Sequence, residues 1–198
     1  MLVNKKLKLL LTSRTRLGLL GIFFKEPGEM YFVRELVRIS KEEINSVRRE
    51  LANLLKIGVI ESEPRGNKIY YWTNFDSIFY RDLLVLMNKT TGLGAKIIKR
   101  QNRLGKLKYL IYSNSFANGK RSPIGSVDLV VVGKVNLGLL DSYIKDEEKD
   151  RKQEINYMLM DRKEFKMRIL RRDPFLVDFF LNLPVVIIGN TRNISGKI

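Results

Sequence analysis

The chain has 198 residues, 44% of them apolar and 29% charged, a balance that excludes intrinsic disorder and leaves one medium domain or two small ones open. It contains no Cys and no His, which rules out zinc fingers, thiol nucleophiles, histidine acid/base chemistry and His/Cys metal sites, leaving only oxygen-ligated Mg²⁺ or Mn²⁺ among metals. A net charge of +16 favours a polyanionic partner, the plain alternative being a generally basic surface.

That charge is uneven. Residues 1–75 carry 14 basic and 8 acidic side chains, 76–126 carry 10 and 2, and 127–198 carry 13 and 11, so nearly all the excess lies in the front two-thirds. The opening MLVNKKLKLLL has basic and apolar residues but no small-residue cleavage site, and reads as no signal peptide. The longest apolar runs, Val127–Gly133 and Val185–Gly189, are too short to span a bilayer, so no membrane association and a cytoplasmic location are expected.

Taken in chain order, Thr12 or Ser13 can cap a first helix whose stripe is Leu17, Leu20, Ile22 or Phe23, and Phe24, stopped by Pro27-Gly28. Met30–Phe32 reads as extended, and Val33, Leu36 and Val37 mark a second, short helix. Ser40 and Glu43 fit a capping box for a third helix, with Ile44, Val47, Leu51, Leu54 and Leu55 as its buried stripe and Gly58 as its stop. Lys41, Asn45, Ser46, Arg48 and Arg49 fall on its early outward part, which makes the segment a helix-turn-helix plan with a polar, basic leading face. Val59–Glu63 and Ile69–Thr73 then flank a turn at residues 64–68, a hairpin with Arg65 and Lys68 at its tip. Alternation puts Tyr70 and Trp72 on the face toward the helices and Tyr71 on the other.

Residues 76–104 read as helical, with Phe79, Leu83, Leu84, Leu86 and Met87 too apolar to expose and a weak spot at Thr90–Gly92. From Leu107 strands and helices alternate: strands at Leu107–Tyr112, Val127–Val132, Ile155–Met160 and Val185–Gly189, and helices at Val135–Ile144, Lys163–Arg172 and Pro174–Asn182. The expected organisation is α+β in two domains. Residues 1–75 form a winged helix-turn-helix, 76–92 a linking and dimerisation helix, and 93–198 an α/β domain, with the boundary near residue 92.

Two resemblances bear on function. Val33–Leu36, Ile44–Leu51, Leu54-Leu55, Gly58–Ile60 and Arg65–Tyr71 resemble the winged-helix transcription factors of the arsenic-repressor type and their archaeal relatives. The metal-sensing Cys and His of those repressors are absent, so the resemblance implies DNA binding without metal sensing. Tyr112–Lys120 followed by Ser126–Gly133 resembles the minimal nucleotidyltransferases of the DNA polymerase beta type. Their pattern is Gly-Ser, an aromatic-Ala-x-Gly segment, and Asp-x-Asp opening the next strand, with a third carboxylate on a later one. Carried over, the Gly-Ser that cradles triphosphate becomes Asn114 and Ser115, the paired metal carboxylates become Ser126 and Asp128, and the third becomes Asn156 or Glu154. Ser126 deletes one charge and Asn156 another, which leaves Asp128 and Glu154 as the metal-ligand candidates and implies a domain that has lost catalysis.

The expected function is therefore a sequence-specific, double-stranded DNA-binding transcriptional regulator with an inactive nucleotidyltransferase-like domain. Lys41, Asn45, Ser46, Arg48, Arg49, Arg65 and Lys68 are expected on DNA, with further phosphate contacts from Arg14, Arg16 and Arg34. The null alternative pairs Arg48 or Arg49 with Glu50 or Glu35. Lys120 and Arg121 are set to meet a phosphate or simply water. A homodimer is expected, with a protein partner or a nucleotide open for the second domain, and no cofactor. The competing functions are a Mg²⁺-dependent nucleotidyltransferase targeted by the first domain, and an antitoxin-like partner of another protein.

Overall fold

The computed structural model describes residues 13–123 and 125–190. The readings of Met1–Leu11 and of Thr12 as an alternative cap lie outside the described residues. The fold is mixed α+β, and its contacts divide the chain into two compact units between Thr91 and Gly92.

In the first unit, α1 spans Arg14–Phe23 and is capped by Ser13, whose hydroxyl accepts from the Arg16 N–H at 3.2 Å. Leu17, Leu19, Leu20, Ile22 and Phe23 are buried, a wider apolar surface than a single stripe. The short strand β1, Tyr31–Phe32, leads into α2, Val33–Ser40. Helix α3 spans Ile44–Ile57 and ends on Gly58, with Val47, Leu51 and Leu54 packed inward. The capping box at Ser40 and Glu43 does not form. Lys41 takes a left-handed conformation (φ 58°) that closes α2, and the Ser40 hydroxyl accepts from the Glu42 N–H instead. Glu43 is itself the N-cap of α3, accepting from the Ser46 N–H at 2.9 Å.

Strands β2 (Ile60–Arg65) and β3 (Lys68–Thr73) pair antiparallel, and β1 joins the other edge of β3, giving the order β1-β3-β2. Arg65 pairs with Lys68, so the expected five-residue turn contracts to Gly66-Asn67. Gly66 at φ 61° supplies the positive dihedral that a two-residue hairpin needs at its first central position. The predicted faces of β3 are reversed: Tyr71 and Thr73 are the buried pair, 8% and 0% exposed, and Tyr70 and Trp72 lie on the outer face. The Thr73 hydroxyl donates to the Phe23 carbonyl at 3.0 Å, a buried bond that fixes the register against α1. The Trp72 indole N–H donates outward to Glu61 at 3.0 Å.

Helix α4 runs Tyr80–Thr90 and buries Leu84 and Met87. It starts later than predicted, residues 76–79 being irregular and turned, and Phe79 is 44% exposed rather than buried.

The second unit begins with α5 (Gly92–Lys99) and α6 (Gln101–Leu104), then β4 (Gly105–Tyr112), α7 (Asn114–Ala117), β5 (Leu129–Val135) and α8 (Leu137–Arg151). Strand β6 (Tyr157–Met160), α9 (Arg162–Leu170), α10 (Pro174–Leu181) and β7 (Val185–Ile188) follow. The sheet order is β6-β5-β4-β7, with β5 and β6 parallel through the α8 crossover and the other pairs antiparallel. Leu129–Val132 are wholly buried, as expected of a strand covered on both faces. Tyr109, Ile111, Val130 and Val132 meet Phe165 and Ile169 of α9 and Leu176 and Phe179 of α10. β4 bulges between Leu107 and Tyr109 opposite Gly133, where a Cβ would lie 2.3 Å from the Lys106 carbonyl oxygen, so only glycine fits there. No described helix is long and apolar enough to cross a membrane.

Candidate nucleic-acid interface

On α3, the exposed residues Asn45, Arg48, Arg49 and Ala52 stand at i, i+3, i+4 and i+7, a single face opposite Val47, Leu51 and Leu54. Ser46 flanks this face half-buried. Lys41 is exposed but lies in the turn before the helix rather than on it, because the left-handed residue that ends α2 is Lys41 itself. Backbone amides of Asn45 and Ser46 hold the Glu43 carboxyl below the ordinary carboxylate range.

Each acidic residue of the α2–α3 segment has a partner inside the fold. Glu35 accepts from the Phe32 N–H at 3.1 Å, Glu42 pairs with Arg14 at 2.9 Å, and Glu43 caps α3. Glu50, 4% exposed, accepts from the Ser13 hydroxyl at 2.7 Å, from Arg16 at 2.8 Å and from Asn53 at 3.2 Å. Burial alone would raise the Glu50 pKa, but these three hydrogen bonds and the Arg16 charge outweigh it and hold the carboxyl below its ordinary range. Of Arg14 and Arg16, both expected on phosphate, Arg16 is held against the buried Glu50 and ties α1 to α3, whereas Arg14 pairs with Glu42 ahead of α3 but remains largely exposed. Glu50 is committed to Arg16, whereas Glu35 and Glu43 accept from neutral donors and keep their charge, and the Glu43 carboxylate feels that of Arg48. Among the described residues Arg34, Arg38, Lys41, Arg48 and Arg49 take part in no ion pair.

A cleft of about 940 Å³ opens between α2, α3 and the hairpin. Arg34 and Arg38 reach it from α2, Arg48 from α3 and Lys68 from the hairpin. Arg38 was not among the expected site residues, although its spacing of four from Arg34 puts both on one side of α2 and was readable as such. Lys68 lies 4.1 Å from the Phe32 ring centroid, and Phe32 meets the Tyr70 ring edge-to-face at 5.9 Å. Arg65 is at the hairpin tip as expected, but it pairs with Glu63 at 2.9 Å. With both side chains 52% exposed, water and salt screen that pair.

The second unit places the other candidates differently. Asp128 is 2% exposed; one carboxylate oxygen accepts from the Ser122 hydroxyl and the other from the Asn156 backbone N–H at 2.8 Å. Its own N–H donates to the Asn156 carbonyl at 2.7 Å. Ser126 turns away, its hydroxyl donating to the Pro123 carbonyl at 2.6 Å. Glu154 and Asn156 are exposed and precede β6, so the expectation that they alternate within that strand is corrected: the strand starts only at Tyr157. Asn114 and Ser115 open the single turn of α7, which Ser113 caps at 3.2 Å from the Phe116 N–H. Arg151 braces that turn, donating to the Phe116 carbonyl at 3.0 Å with its guanidinium 3.9 Å from the Phe116 ring centroid. Lys120 and Arg121 are exposed. Among the described residues no three acidic side chains come together as a metal-holding group.

No family model, curated protein or solved structure matches this chain.

Proposed function

We propose that the chain is a sequence-specific double-stranded DNA-binding transcriptional regulator, in which residues 1–75 act as a winged helix-turn-helix. Helix α3 is the element offered to the major groove, with Asn45 suited to adenine and Arg49 to guanine. The hairpin tip, with Lys68 and Arg65, tracks the backbone or minor groove. One observation carries the reading: among the described residues Arg34, Arg38, Arg48 and Arg49 form no salt bridge, while the neighbouring Glu42 and Glu50 are paired with Arg14 and Arg16. Cations gathered on adjoining elements and left out of salt bridges favour phosphate.

Residues 93–198 are proposed as a nucleotidyltransferase-like domain without transferase chemistry. Asp128 supports this, since a carboxylate clamped by Ser122 and the Asn156 amide is committed to holding a loop. Association into a homodimer would present two α3 helices to half-sites about one helical turn, roughly 10 base pairs, apart. Sedimentation at micromolar concentration tests that association, and a monomeric mass removes it.

The decisive measurement is duplex binding by the full chain across a salt series. Phosphate contacts from Arg34, Arg38, Arg48 and Lys68 give a slope of log K against log salt of about −3.6, and selection from random duplexes should return a preferred sequence. No binding at low salt would reject the reading, and binding with no preferred sequence would reject its specificity.

A further inference from the structure

The cleft between α2, α3 and the hairpin carries more than a duplex backbone requires. Helix faces and hairpin tips approach DNA as convex features, whereas this is a concavity of about 940 Å³, within the range of roughly 300–1,000 Å³ typical of small-molecule sites. Its lining has two chemistries. Arg34, Arg38, Arg48 and Lys68 converge from three elements, and Glu35, the acidic residue of the lining, already has its carboxylate on the Phe32 N–H. Between those cations lie Phe32, Val33, Ile44 and Ile69, all part-exposed or exposed, with the buried Tyr71 beneath. Phosphates make no use of such apolar surface, whereas a ring joined to a polyphosphate uses both parts. The walls are pre-shaped, because Lys68 already lies over the Phe32 ring and Phe32 meets Tyr70 edge-to-face.

We propose that this cleft binds a free nucleoside polyphosphate, the phosphates on the four cations and the base and sugar against the apolar lining. The binding step stands by itself, while its consequence rests on the DNA-binding reading: nucleotide and duplex draw on the same cations, so occupancy of the cleft releases DNA. The second unit is not needed for this.

Calorimetric titration of the full chain at low salt, without divalent cations, compares ATP with inorganic tripolyphosphate. The expected result is one site per chain, at least tenfold tighter for ATP. Arg34→Ala with Arg38→Ala should weaken both ligands at least tenfold, and Ile44→Ala should weaken ATP alone. Asn114→Ala with Ser115→Ala should change neither. Equal affinity for the two ligands would reduce the cleft to a patch of charge and overturn the inference, as would ATP binding that survives the Arg changes or is lost with Asn114 and Ser115. A duplex competition then separates the two claims. ATP binding without any duplex binding leaves the nucleotide site standing and removes the DNA reading; duplex binding that ATP neither displaces nor accompanies removes the nucleotide site alone.

Discussion

Both units engage carboxylates inside the fold, with opposite consequences for an outside ligand. In the first, Glu35, Glu42, Glu43 and Glu50 are engaged by backbone amides, hydroxyls and Arg14 or Arg16, and among the described residues the Arg side chains of α2 and α3 are left out of salt bridges. In the second, the carboxylate that a metal site would need is the engaged one, Asp128, and the nearby cation Arg151 is held by Glu147 at 2.8 Å. Residue type is the same on both sides of the contrast; the partner decides whether a charge is open to an outside ligand.

The contrast breaks most readily at the cleft. Replacing Arg34, Arg38, Arg48 and Lys68 together by Ala should flatten the salt slope by about 3.6 and cost on the order of a few thousandfold in duplex affinity near 0.1 M salt, measured by anisotropy. Thermal unfolding should change little, since among the described residues none of the four makes an ion pair and the Lys68 contact with the Phe32 ring lies at the surface. Asp128→Ala should do the reverse. It strands the Asn156 N–H and the Ser122 hydroxyl and destabilises the second unit by about 3 kcal/mol, with duplex binding intact and no response of the melting temperature to Mg²⁺ or chelator. A Mg²⁺-dependent rise in the wild-type melting temperature, abolished by this change, would return Asp128 to metal binding.

Glu50→Ala should cost about 2 kcal/mol by releasing Ser13, Arg16 and Asn53 together. Because the folded Glu50 pKa is depressed, its contribution is fully present above the unfolded carboxylate value and is lost as the pH falls through the folded one. Urea unfolding of wild type and variant should therefore converge below that range. Asn45→Ala should relax sequence preference by about 1–3 kcal/mol without changing affinity for random duplex, and equal loss on both would reject base reading. The smallest effect is expected at Arg65→Ala, less than one unit of salt slope, because Glu63 already offsets part of that charge.

Much of the fold was legible because it rests on local pattern. The α3 stripe, its Gly58 stop, the hairpin, the buried run at 129–132 and Pro174 at a helix start are each written in adjacent residues. What was not legible depends on distant partners. Both faces of β3 are aromatic, so alternation cannot rank Tyr70 and Trp72 against Tyr71; the bond from Thr73 to the Phe23 carbonyl, 50 residues away, decides it. Ser40 and Glu43 have capping spacing, but the left-handed turn at Lys41 moves the helix start three residues on. In the site, Asn45, Arg48, Arg49 and Lys68 were readable from composition and period. The pairing of Arg14 with Glu42 and of Arg16 with Glu50 was not, since it joins α1 to the turn before α3 and to α3 itself, 28 and 34 residues on.

The bond from the Trp72 indole to Glu61 ties the chain's one tryptophan to the facing strand of the hairpin. Its emission is thus a native optical gauge of one small element. Fraying of β2 from β3 should appear as a red shift, while loss of the second unit's sheet, which contains no tryptophan, should pass unseen in that channel. Comparing that signal with far-ultraviolet circular dichroism would time the opening of the hairpin separately from the melting of the rest.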